Sequence, residues 1–277
     1  MFAPTITDPL ARGYFEEAWC NLTHGKATIP EVQGAADAAR LGGSYDEKCK
    51  SAFYYLAAAE KLKDNGEYKE ASHTYHFAAH QMRRIEQFNQ AARAYANAGE
   101  FGEMAAKKID MKDLLDEKIK EQKFAIRSYG RAKNCYTEVG DLDASEKVYL
   151  DEQNARYALA KISRSLLDKF ALGVWKHSSV YGTSVWRWCG VMILFVLAFG
   201  AAYYFLMEDG QMTLSASVDR SLFTPLFYSL MTTSTLGYGE IVPASLLAQI
   251  VLSLNIIFGY VLLGLGIGVI VRHIKSR

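Results

Sequence analysis

The sequence predicts an all-α protein in which a charged helical domain precedes a membrane module of two spans. Two runs near the C-terminus, Trp188–Met207 and Leu246–Val271, contain no charged residue and are twenty and twenty-six residues long. Each is long enough for a helix to cross the hydrocarbon core of a bilayer. No proline occurs between Glu31 and Thr224, and alanine, leucine, glutamate and lysine are abundant. Because proline breaks helix interiors and those four residues favour helices, the rest of the chain is also predicted to be helical.

The two parts of the chain differ in charge. Residues 181–277 contain five of the 31 Lys and Arg residues and four of the 30 Asp and Glu residues, which leaves 26 of each for residues 1–180. The N-terminal part is rich in charge but balanced, so we predict no nucleic-acid partner. The four cysteines share no metal-binding or disulfide spacing, which is typical of a reducing compartment. The N-terminus lacks the basic-then-apolar pattern of a cleavable signal peptide.

Residues 1–160 are predicted to form helical hairpins. Three turn-like segments consist of a glycine followed by an acid, at Gly66, Gly99 and Gly140, and small or aromatic residues flank them at helical spacing. A helix that ends at glycine and restarts with an acid in its first turn is favoured on both sides of the turn. The first segment resembles a tetratricopeptide (TPR) repeat and the other two resemble it loosely, while a helical bundle of another kind fits three irregular repeats equally well. Stacked hairpins form concave surfaces, so we expect a peptide or protein partner here.

One face of the helix after Gly66 is rich in histidine and cationic residues, opposite an apolar face. Three histidines at i, i+3 and i+7 would suit a transition metal or a pH sensor, and the clustered cations would suit an anionic ligand. A solvated helix face explains the same pattern, and we favour it because no cysteine or carboxylate completes a ligand set nearby. The residues of this face are Lys69, His73, His76, His80, Arg83 and Arg84.

Residues 161–186, between the two parts, are predicted to form an amphipathic helix at the inner membrane surface. Apolar residues repeat there at helical spacing among four cations and one acid, a pattern that would also allow packing on the helical domain. The apolar residues are Leu166, Leu167, Phe170, Val174 and Trp175.

The pore region, residues 187–277, is predicted to have both of its ends on the cytoplasmic side. Three cations precede the first span and three follow the second, whereas the connecting segment holds one arginine against four acids. By the positive-inside rule both termini are then cytoplasmic, in a plasma or inner membrane. Tryptophans at the start of the first span, with Tyr203 and Tyr204 near its end, fit interfacial aromatic belts.

A short helix and an unusual loop lie between the spans. Thr224-Pro225 is a good helix start, and residues 225–233 are predicted to form a pore helix whose C-terminal end carries partial negative charge. The string TTSTLGYG follows at residues 232–239. Backbone carbonyls can replace the hydration shell of K⁺ only if successive residues direct them at one axis, and glycine adopts the necessary backbone conformations readily.

This arrangement resembles the pore of two-transmembrane, one-pore-loop potassium channels. The resemblance implies a homotetramer, because one pore loop cannot encircle an ion, and places Glu240 at the outer mouth. Met231 stands where some of these channels carry a carboxylate behind the filter, so behaviour that depends on that carboxylate is not implied here. K⁺ would bind at the first four of the five residues that form the implied selectivity filter: Thr235, Leu236, Gly237, Tyr238 and Gly239.

Glycine is dense in the second span, which is predicted to be the inner helix, residues 246–271. Gly259 stands at the position of the gating-hinge glycine in similar channels, and Gly264, Gly266 and Gly268 are predicted to allow close helix packing. Asn255 is predicted to bond a neighbouring helix and not to line the ion path. The face that contains Gly259 is predicted to line a cavity with a hydrophobic gate, and its other members are Tyr260, Leu263, Ile267 and Val271.

The sequence therefore predicts a tetrameric, K⁺-selective channel in a lipid bilayer, with a cytoplasmic regulatory domain. We expect no cofactor other than the permeant ion, and no catalytic site. Two alternatives stay open. In the first alternative the chain is a membrane-tethered adaptor whose pore is silent. In the second it is a channel whose N-terminal domain serves only in assembly.

Overall fold

The structure is a computed structural model that describes residues 6–109, 114–163, 168–169, 172–173, 184–216, 218, 221–234 and 239–275, with side chains to residue 271. The chain divides into two compact units, residues 1–172 and 173–277. Most of the predicted linker helix, including all five of its apolar residues (Leu166, Leu167, Phe170, Val174 and Trp175), lies outside the described residues.

The described part of the first unit is a stack of helices, as predicted. Helix α3 packs against α1, α2 and α4, and from α3 onwards each helix packs against the next one in the chain. Serine, threonine and aspartate begin several of them, and Ser44 and Thr28 form capping boxes with Glu47 and Glu31. The helices are α1 (Pro9–Thr23), α2 (Ile29–Arg40), α3 (Tyr45–Asp64), α4 (Tyr68–Arg84), α5 (Phe88–Lys108), α6 (Leu115–Glu138) and α7 (Leu142–Ile162).

Two of the three predicted glycine turns are confirmed and the third is wrong. Gly66 and Gly140 lie in the turns before α4 and α7 with φ of 79° and 75°, a left-handed conformation that glycine adopts without a Cβ clash. Helix α5 instead continues through Gly99, and the turn before α5 contains Glu86 with φ of 60°. Gly99 serves close packing, because a Cβ there would overlap the Tyr129 ring of α6.

The second unit contains two long apolar helices with a short helix and a small sheet between them. Helix α8 (Val185–Glu208) and helix α10 (Leu246–Lys275) are long and apolar enough to cross a membrane, and they extend the predicted spans. Helix α9 (Thr224–Thr233) begins one residue before the predicted pore helix. Strands β1 (Met212–Leu214) and β2 (Ile241–Pro243) pair antiparallel, a pairing that the sequence did not predict.

Candidate functional site

The segment that carries α9 and the filter string is a loop whose two ends are fastened together. Leu214 of β1 lies opposite Ile241 of β2, and the Ser215 amide donates to the Glu240 carbonyl at 2.9 Å. Next to this pair, the Ser245 hydroxyl donates to the Gln211 side chain at 2.8 Å and accepts from the Ala248 amide at the start of α10. The loop therefore leaves and returns at one point, between the end of α8 and the start of α10.

Helix α9 packs closely on α8. A Cβ at Gly200 would lie 3.2 Å from the Leu226 Cα, so a glycine allows the two backbones to approach. The Ser229 hydroxyl donates to the Val196 carbonyl at 2.9 Å. One turn further along α8, Tyr203 meets Tyr228 edge-on, with ring centroids 4.8 Å apart.

A buried hydrogen-bond chain joins all three helices at the C-terminal end of α9. The Thr233 hydroxyl donates to the side-chain Oδ1 of Asn255 at 2.9 Å, and the side-chain Nδ2 of Asn255 donates to the Tyr203 hydroxyl at 3.0 Å. Asn255 and Tyr203 have no exposed surface. Asn255 thus bonds neighbouring helices, as predicted, and it holds the residue that lies two positions before Thr235.

Gly259 lies one turn beyond Asn255, where α10 comes close to Thr233 of α9. A Cβ at Gly259 would be 3.2 Å from the Thr233 carbonyl oxygen and 3.3 Å from its Cα, which is tighter than an ordinary contact. The glycine at the predicted hinge therefore has a packing role. The hinge itself stays a prediction.

The start of α8 is attached to the C-terminal half of α10 through Trp188. The indole Nε1–H donates to the Leu262 carbonyl at 3.1 Å, and a Cβ at Gly266 would overlap the indole ring. Gly266 thus allows close packing, as predicted, whereas a Cβ at Gly264 or Gly268 would meet no described atom within 4 Å. Trp188 and Tyr203 pack between helices, and their predicted place in aromatic belts stays a prediction.

Four of the five predicted filter residues, Thr235, Leu236, Gly237 and Tyr238, lie outside the described residues. Gly239 and Glu240 follow them as an exposed turn before β2. On α10, Tyr260, Ile267 and Val271 are 60%, 66% and 51% exposed and Leu263 is half-buried, so the predicted gate face is largely uncovered in a single chain. Such a face is available for a cavity, for other subunits or for lipid.

Comparison with known protein families gives one match. Residues 191–276 match the family model described as "Ion channel". The pore unit is similar to ion channels. The match begins within α8, covers the loop, both strands and α10, and leaves the first unit uncovered. Together with the two long apolar helices, it supports a membrane-embedded unit that is similar to ion channels. Comparisons with curated proteins and with solved structures gave no significant match.

The predicted histidine face of α4 is only partly solvated, because His73 and His76 pack against α6 while His80, Arg83 and Arg84 are exposed. The His73 Nε2 lies 3.2 Å from a carboxylate oxygen of the buried Glu121, and its ring lies 4.2 Å from the Phe124 ring. Lys69 pairs with Glu117 of α6, and Arg83 pairs with Glu138 at 3.2 Å. His80 is exposed, and Arg84 donates to the Gln81 side chain on α4 itself.

His76 has both ring nitrogens occupied. The Arg131 guanidinium lies 2.7 Å from Nε2 and can only donate, so Nε2 accepts and Nδ1–H donates to the Ser128 hydroxyl at 3.0 Å. Burial and the Arg131 charge lower the pKa of His76 to about 3, so it stays neutral at physiological pH. The described residues include no group of three His, Cys, Asp or Glu side chains that could hold a metal ion. This geometry favours a helix–helix packing role for His73 and His76 over metal binding.

Proposed function

We propose that the chain is one subunit of a homotetrameric, K⁺-selective channel whose pore is formed by residues 187–277. The observation that carries this proposal is the buried hydrogen-bond chain from Thr233 through Asn255 to Tyr203, which anchors the α9 C-terminus immediately before the string Thr235–Gly239. A filter that replaces the hydration shell of an ion needs carbonyls held at fixed positions. The anchored end of α9 would hold the string on its N-terminal side, and the paired strands would hold it on its C-terminal side.

The conduction mechanism follows from this support. The C-terminal end of α9 carries partial negative charge and favours a cation near Thr235. The carbonyls of Thr235, Leu236, Gly237 and Tyr238, repeated in four subunits, would replace the water around K⁺. Glu240 would concentrate cations at the outer mouth, and its side chain is exposed. Tyr260, Leu263, Ile267 and Val271 would line the inner cavity, where an apolar constriction closes by dewetting.

The first unit is proposed as a cytoplasmic regulatory domain, built from TPR-like hairpins that bind a peptide, protein or anionic ligand. The short turns at Gly66, Glu86 and Gly140 make consecutive helices antiparallel neighbours, which supports a hairpin stack. An assembly scaffold without a regulatory role is the alternative for this unit. A membrane-tethered adaptor is the alternative for the whole chain.

Reconstituted flux tests the channel proposal. Purified protein in liposomes is expected to pass K⁺ at least about a hundredfold faster than Na⁺ and to be blocked by barium, because both properties belong to a carbonyl filter. Gly237→Ala and Tyr238→Ala are expected to abolish either conduction or this selectivity. Gly190→Ala is the matched control, since a Cβ there meets no atom within 4 Å. Wild-type K⁺ flux in both filter variants would refute the filter assignment, and absence of flux in the wild-type protein would favour the adaptor.

Removal of residues 1–160 tests the role of the first unit. We expect the truncated protein to keep its preference for K⁺ over Na⁺, because the filter and its supports lie within residues 187–277, and to change its open probability. Single-channel recording measures both quantities. Unchanged open probability together with reduced assembly would favour the scaffold, and lost selectivity in assembled channels would contradict the proposed separation of roles.

A further inference from the structure

An open cleft of about 580 Å³ lies between α6 and α7 in the first unit, within the range of about 300–1,000 Å³ that is common for small-molecule sites. Its apolar lining is aliphatic and consists of Ile119, Ile126 and Leu159. Cations dominate its polar lining, with Asp116 as the one carboxylate among the described lining residues. The cleft therefore combines an aliphatic floor with a positively charged rim.

Between Glu117 and Arg127 of α6, two acids face α4 and three cations face the cleft. Glu117 and Glu121 pair with Lys69 and His73 of α4, so these two carboxylates face α4 and not the cleft. Lys120, Lys123 and Arg127 line the cleft instead, and none of them forms an ion pair with any residue that the structure describes.

Like charges at this spacing oppose helix stability. Lys123 and Arg127 are four residues apart, and a like-charged pair at that distance destabilises a helix when nothing neutralises it. The fourth cation of the cleft, Arg156, bonds Glu152 of its own helix at 2.6 Å and so adds little to the free charge. A bound anion would neutralise the three cations of α6.

The chemistry of the lining selects the ligand class. The described lining residues include no aromatic ring, and an aliphatic floor of this kind suits an acyl chain better than a nucleobase. The predicted linker helix of the chain itself is a poor occupant, because it carries four cations and one acid. We propose that this cleft binds an anionic phospholipid, with the phosphate on Lys120, Lys123 and Arg127 and the start of an acyl chain on Ile119, Ile126 and Leu159. The proposal rests on the membrane location proposed above, which brings anionic headgroups within reach.

Photolabelling of the full-length protein in detergent micelles tests the site. The probe is phosphatidic acid with a diazirine in its acyl chain, and labelled peptides are mapped by mass spectrometry. We expect label on the peptides that contain Ile119, Ile126 and Leu159, and a loss of about tenfold or more in the triple variant K120Q/K123Q/R127Q, since each cation near an anionic lipid contributes substantially. The matched control R12Q/K26Q/K107Q removes three exposed cations elsewhere in the first unit and should keep the label.

Further arms of the experiment separate the sources of the phosphate. Wild-type labelling should fall as salt rises from about 0.05 M to about 0.3 M, a measurement that needs no variant. Competition by inorganic phosphate at millimolar concentration would assign the site to a soluble phosphate and overturn the lipid assignment. Equal labelling by a phosphatidylcholine probe, or undiminished label in the triple variant, would overturn the proposal altogether. The label is read on the cleft peptides, so the outcome does not depend on whether the pore conducts K⁺.

Discussion

Replacement of Asn255 by leucine is expected to destabilise the pore unit by about 2–6 kcal/mol and to reduce selectivity for K⁺ over Na⁺. Leucine has the branched shape of asparagine, with two larger methyl groups in place of the amide oxygen and nitrogen, and it neither accepts nor donates a hydrogen bond. The Thr233 and Tyr203 hydroxyls would both lose a partner at a site without exposed surface, and each unsatisfied buried group costs about 1–3 kcal/mol. Because Thr233 lies two residues before Thr235, a loosened α9 terminus should let the first filter carbonyls move.

The measurements are thermal unfolding of the purified protein and the K⁺-to-Na⁺ flux ratio. Ser253→Ala is the matched control on the same helix, because Ser253 is exposed and its hydroxyl, among the described residues, bonds the Gln249 carbonyl of α10 alone. The double variant Thr233→Val/Asn255→Leu should be less destabilised than the sum of the two single variants, since each already breaks the same bond. Additive effects in the double variant, or a flux ratio equal to that of the wild type, would show that this chain of hydrogen bonds does not support the filter.

Substitution of Gly259 by alanine is expected to destabilise the pore unit by about 1–3 kcal/mol and to alter the filter as well as the gate. The added methyl group would approach the carbonyl oxygen and Cα of Thr233, at 3.2 Å and 3.3 Å, and backbone atoms cannot rotate away as a flexible side chain would. Helix α10 or the end of α9 must therefore shift. A glycine that served only as a hinge would change open probability and leave selectivity as it was.

Gly264→Ala separates these two roles of Gly259. Gly264 is five residues further along α10, where a Cβ meets no atom within 4 Å, so this variant gains the same helix propensity without a clash. Single-channel recording gives open probability and the reversal potential in mixed K⁺ and Na⁺ gives selectivity. We expect a shifted reversal potential in Gly259→Ala alone. A normal reversal potential in both variants, with altered gating only in Gly259→Ala, would assign the residue to the hinge.

Local signals in the sequence predicted most of the pore unit. The two uncharged runs predicted α8 and α10, and Thr224-Pro225 predicted the start of α9. These signals can be found in the sequence because each lies within the helix that it predicts. The pairing of β1 with β2 was missed, since three-residue strands are too short for an alternating pattern. The choice of Asn255 as a helix-bonding residue was correct, but its partners Tyr203 and Thr233 lie 52 and 22 residues away and carry no local mark of that contact.

The first unit shows the same limit in its histidine face and in Gly99. His73 and His76 looked solvated because their own helix has its apolar face elsewhere, whereas the contacting Glu121 and Ser128 are 48 and 52 residues distant. Gly99 was predicted to be a turn glycine because a single sequence does not distinguish a glycine in a turn from a glycine at a close helix contact. Only the position of Tyr129 on α6 distinguishes them.

The Trp188 contact has a mechanical consequence for signals that enter from the N-terminal side. Any force on the chain that reaches Val185 acts on the first turn of α8, and Trp188 lies in that turn. Because the indole is bonded to Leu262 and seated on Gly266, the first turn of α8 cannot tilt without dragging the C-terminal half of α10 or breaking that bond. A movement of α8 is thus coupled to α10 within a single subunit, in the half of α10 that carries the predicted gate. A conformational change in the first unit that moves α8 would then need no separate contact with α10.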